Sequence, residues 1–73
     1  MNTKYYILVG IESGQFVMQF GDYNRDCVKD ELEDMQQSNC YATTPIRRLS
    51  IITLPDARQE TINSTMRALN IHN

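Results

Sequence analysis

Tyr5-Tyr6-Ile7-Leu8-Val9-Gly10-Ile11-Glu12-Ser13-Gly14-Gln15-Phe16-Val17-Met18-Gln19-Phe20 is the stretch on which the fold turns. Two apolar-rich runs, Lys4 to Glu12 and Gln15 to Tyr23, flank Ser13-Gly14, a pair suited to a two-residue hairpin loop. A two-residue loop sets Glu12 opposite Gln15. The ladder then places Ile11 against Phe16, Val9 against Met18 and Ile7 against Phe20. Side chains alternate along a strand, so these six share one face, and the other carries Tyr6, Leu8, Gly10, Val17 and Gln19. A slip of one residue would set apolar side chains against polar ones, so the pattern specifies its own register.

Downstream of the hairpin, Asn24 is a good N-cap for a helix running to about Gln37. Val28, Leu32 and Met35 recur at i, i+4 and i+7 and form its apolar stripe, with Cys27 at the flank as a small hydrophobe at the core edge. Asp26, Asp30, Glu33 and Asp34 point nearly the opposite way and make an acidic surface. Residues 38–45 read as a loop, polar, aperiodic and ending on Pro45. Arg47 to Leu54 has the β-branched and aliphatic content of a third strand. Leu49 and Ile51 are the favoured buried set on it, Ile52 and Leu54 the other. Pro55 ends the strand, and Asp56 with Gln59 opens a last helix in the manner of a capping box. Its stripe is Ile62, Met66 and Leu69. Asn70 reads as its terminator and residues 71–73 as a frayed end.

These elements predict an α+β fold of order β-β-α-β-α. The strand-helix-strand connection runs the third strand parallel to the second, and the most apolar strand, the first, takes the centre. The result is a three-stranded antiparallel sheet of order 2-1-3. Both helices are expected on the Ile7-Val9-Ile11 face, in a two-layer stack. At 73 residues the chain is one domain, residues 1–73, with a core that supplies only about 3–5 kcal/mol unaided.

Composition narrows function. Net charge is −2, against a dominant nucleic-acid footprint. The segment from Asp22 to Asp34 carries −4 and the remainder +2, with Arg47 and Arg48 adjacent. Cys27 and Cys40 match no zinc pattern or disulfide framework. No signal peptide is read at the N-terminus, and the longest apolar run, Tyr5 to Ile11, is too short to span a bilayer. No membrane association is expected, and the cytoplasm is the expected compartment. The Asn63-Ser64-Thr65 sequon lies in a predicted helix and carries no weight.

The single histidine, His72, has no second histidine with which to build a dyad or metal site. The serines have no evident base, and no phosphate-binding glycine pattern is present. No enzyme activity, metal or cofactor is therefore expected. With both helices on one face, Tyr6, Leu8, Val17 and Ile52 would lie uncovered on the other and form an interface, and the open edge of the second strand is a further pairing site, so a homodimer through that face or edge is the expected partner state. The acidic helix offers a second reading, an inhibitor or adaptor that engages a basic groove of a host protein. The third is a weak single-strand nucleic-acid binder through Tyr6 and Arg48.

Phe20-Gly21-Asp22-Tyr23-Asn24-Arg25-Asp26 with the acidic helix after it, and Arg48-Leu49-Ser50-Ile51-Ile52 followed by the polar helix from Asp56, resemble small uncharacterised proteins carried by phages and prophages. The resemblance covers most of the chain, but its motifs are a strand end, a cap and a helix. It therefore brings no site residues with it. It implies an accessory protein of a mobile element with a host component as partner.

Overall fold

The computed structural model describes residues 4–39 and 46–71. Strands β1 (Tyr5–Glu12) and β2 (Gln15–Asp22) precede helix α1 (Arg25–Asn39), strand β3 (Arg47–Leu54) and helix α2 (Gln59–Ile71). The sheet is antiparallel, of order β2-β1-β3, so the α+β class and strand order agree with the sequence reading. Cys40, His72 and most of the predicted 38–45 loop lie outside the described residues.

The hairpin closes as its sequence dictates. Ser13 (φ 55°) and Gly14 (φ 84°) both take positive φ, as a two-residue turn matched to strand twist requires. Glu12 faces Gln15, Ile11 faces Phe16 and Val9 faces Met18. The register then shifts between Leu8 and Val9, so that Phe20 pairs with Leu8 and Ile7 meets Gly21. The predicted Ile7–Phe20 pair is thus corrected by a β-bulge. Gln19 is the extra residue on β2, and everything beyond it changes face.

That shift bears on which faces are covered. Ile7, Leu8 and Val9 are consecutive and all fully buried. Alternation sends Leu8 to the side opposite Ile7 and Val9, so β1 has cover on both faces. Ile7 and Val9 cluster with Leu54 and with Ile62 of α2, and Tyr5, Phe16, Met18, Ile52, Met66 and Leu69 pack around them. Leu8 and Val28 are just as buried but stand outside this cluster. α1, which packs against all three strands, is the helix that supplies Val28. α2 therefore covers the Ile7–Val9 face and α1 the Leu8–Phe20 face. The expected two-layer stack with both helices on one face is replaced by a sheet sandwiched between them.

The third strand divides accordingly. Ile52 pairs with Ile7, and Leu54 with Tyr5, which puts the less favoured set in the α2 core. Ile51 pairs with Leu8 on the α1 side, where Leu49 leans over Gly10. A Cβ on Gly10 would collide with the Ile46 side chain and come within 2.9 Å of Leu49 Cδ2. A second irregularity between Val9 and Ile11 places Arg48 in the left-handed region at φ 52°.

Asn24 caps α1 as read. Its Oδ1 accepts from Asp26 N–H at 2.9 Å, and its carbonyl accepts from Cys27 and Val28. Cys27, expected at the core edge, is exposed, because Val28 one step on takes the inward direction. α2 starts later than the capping-box reading placed it. Arg58 accepts the Ile62 amide bond and is the N-cap, while Asp56 lies two residues upstream and accepts from Arg58 N–H at 3.0 Å. Asn70 is helical rather than a terminator.

Two substitutions test this arrangement. Leu8→Ala should cost about 2–5 kcal/mol in urea unfolding followed by circular dichroism. That is comparable to the whole stability of a core this size, about 3–5 kcal/mol, and Leu8→Asp should leave the chain unfolded. A one-faced sheet would instead tolerate both. Gly10→Ala should cost about 1–3 kcal/mol, the usual penalty of overpacking, in the same measurement.

Candidate interaction surfaces

The four residues expected to form an uncovered sheet patch are not brought together. Leu8 is fully buried on the α1 face. Ile52 is half-buried on the opposite face, inside the α2 core. Tyr6 is half-buried, and only Val17, 39% exposed, is open to solvent. The homodimer surface built on that patch therefore does not exist in this fold, since α1 occupies its place.

The surface expected for single-strand nucleic acid is also dispersed. Tyr6 pairs with Thr53 at one end of the sheet, whereas Arg48 sits beside the Ile11–Arg47 pair at the hairpin end. Thr53 lies five positions along β3 from Arg48, roughly 17 Å at the usual rise. A base stacked on Tyr6 cannot share a phosphate contact with Arg48 over that span.

The acidic surface, by contrast, assembles as read. Asp26, Asp30, Glu33 and Asp34 are all exposed on α1, while the same helix buries Val28 fully and Leu32 and Met35 in part. The helix is thus held by one side and presents its carboxylates on the other. Asp26 also lies in the first turn, where the helix dipole favours negative charge.

A further feature was not visible in the sequence. At the end of the sheet where β2 and β3 finish, Tyr23, Pro55, Asp56, Ala57 and Arg58 line an open cleft of about 580 Å³. Tyr23 is 63% exposed, and its ring stands edge-on to Tyr5 with centroids 4.9 Å apart. Asp56 is its carboxylate, held below the usual aspartate range by a hydrogen bond from the Thr61 side chain. The Arg58 backbone N–H and the Arg58 charge add to that effect. The contacts of Asp56 are those of a turn that leads into α2. Only Pro55 with Asp56 hints at the cleft in the sequence, as a turn before a helix.

The described residues contain no group of three or more potential metal ligands and no buried side-chain polar atom left without a partner. No described helix is long and apolar enough to cross a membrane. No family model matches the chain, and neither a curated protein nor a solved structure does.

Asp56 supplies a pH test. Because its folded pKa is depressed, the stability it contributes is present above its unfolded pKa and is lost as pH falls through the folded one. Thr61→Val should raise its midpoint toward the ordinary value of about 3.9, read by NMR titration of the side-chain carboxyl carbon. Acid unfolding of that variant should begin at higher pH than in the parent. An unmoved midpoint would show that the Thr61 hydroxyl does not hold this carboxylate.

Proposed function

We propose that the chain is a non-catalytic interaction module that presents the acidic outer face of α1 to a basic surface of a partner protein. The observation that carries this reading is the placement of Asp26, Asp30, Glu33 and Asp34, all exposed on a helix anchored through Val28. Charges fixed on a packed helix need little further ordering on binding, so their spacing can select a complementary groove. Like charges concentrated on one face also steer a basic partner during encounter. The resemblance to phage and prophage proteins fits an accessory protein whose partner is a host component, acting in the cytoplasm.

A homodimer through the sheet face loses its support with the burial of Leu8, and a single-strand nucleic-acid role loses the joint Tyr6–Arg48 surface. The acidic helix keeps all its parts.

The test is capture from a host lysate with the parent chain and with Asp30→Lys/Asp34→Lys. Partners specific to this face should be lost in the variant. Their capture by the parent should weaken as ionic strength rises past roughly 0.15 M, where the screening length is about 8 Å. A partner set that survives the charge reversal intact sinks the reading.

A further inference from the structure

Across 54 residues of sequence, the side chain of Asn70 on the last turn of α2 grips the backbone of Phe16 on β2. The amide N–H of Phe16 donates to Asn70 Oδ1 at 2.7 Å, and Asn70 Nδ2 donates to the Phe16 carbonyl at 3.2 Å. Glu12 and Gln15, which flank the two-residue turn, are a hydrogen-bonded pair, so Ile11 and Phe16 are a non-hydrogen-bonded one and the Phe16 backbone groups point away from β1, to the outer edge of the sheet. One donor and one acceptor on the same residue are what an incoming antiparallel strand would satisfy. The carboxamide takes the place of such a residue.

We propose that the outer edge of β2 is a pairing surface for β2 of a second copy of this chain, and that Asn70 gates it. The direction of the Phe16 groups fixes that of its neighbours. Two residues on, the N–H and carbonyl of Met18 face outward as well, and Val17 between them is 39% exposed. A second copy laid antiparallel and centred on Val17 sets Phe16 of each chain against Met18 of the other. Both pairs of residues then exchange N–H···O bonds, and the two Val17 positions meet across the axis. This edge is self-complementary, as a two-fold contact requires. The ladder can be no longer, because the bulge at Gln19 ends it on one side and the turn at Ser13-Gly14 on the other. With so short a ladder, one side chain on Phe16 suffices to close the edge. The gate also lies at a helix end, where backbone bonds are fewest and opening is easiest.

The test compares the parent chain with Asn70→Ala by light scattering and by amide hydrogen exchange of Phe16 and Met18. In dilute solution the parent should be monomeric, with the Phe16 amide protected by the Asn70 contact. In dilute Asn70→Ala the Phe16 amide should lose most of that protection while the helix content stays unchanged. At roughly hundreds of micromolar, the range for an interface smaller than the standard size, its mass should rise toward the dimer. Phe16 and Met18 should then become protected together. Asn70→Asp keeps the acceptor and loses the donor, so it should fall between the two. It carries the same readings should Asn70→Ala fail to fold. A mass that stays monomeric in both variants overturns the pairing surface, and undiminished Phe16 protection in dilute variant overturns the gate.

Discussion

The burial of three consecutive residues in β1 constrains everything around it. Ile7, Leu8 and Val9 alternate in direction, so full burial of all three demands cover on both sides of the sheet that β1, β2 and β3 form. Among the described residues α1 covers one side and α2 the other. Neither core is large. The α2 side gathers Ile7, Val9, Leu54 and Ile62, and the α1 side closes over Leu8 with Val28. Burying each such side chain is worth about 1.5–3 kcal/mol before the entropy of ordering the chain is set against it. A sandwich of this size stands on a handful of residues.

The same constraint explains the bulge. An unbroken ladder would have carried Phe20 to the α2 side along with Phe16 and Met18. The extra residue at Gln19 instead delivers Phe20 beside Leu8, under α1. An aromatic ring is thereby moved from the face that holds Phe16 to the face that α1 covers. The helices are balanced across the sheet because its second strand changes face partway along.

Much of this was legible in the residues, and the parts that were not have a common cause. The turn at Ser13-Gly14, the Ile11–Phe16 and Val9–Met18 pairs, the Asn24 cap and the sheet order all follow from local chemistry or simple periodicity. The bulge does not, because Phe16, Met18 and Phe20 are spaced as an unbroken alternation would space them, and the gain from breaking it is made against α1. Two-sided burial does have a signal in the sequence. The run from Tyr5 to Ile11 is continuously apolar, the mark of a strand covered on both faces rather than one. Among the surfaces, the acidic row was readable because exposure on a packed helix follows its period. The Tyr23–Arg58 cleft and the Asn70 contact with Phe16 join distant segments and leave no local trace.

The two helices reach the sheet from very different distances along the chain, and this makes one cover local and the other long-range. α1 begins three residues after β2 ends, so the Leu8 face receives its cover almost as soon as the hairpin exists. The Ile7–Val9 face waits for residues 62–70. Until α2 docks, a partly folded chain carries a hairpin with one uncovered apolar face and an open outer edge. That incompletely folded state, rather than the finished protein, is where this sheet is most prone to pair with the wrong neighbour.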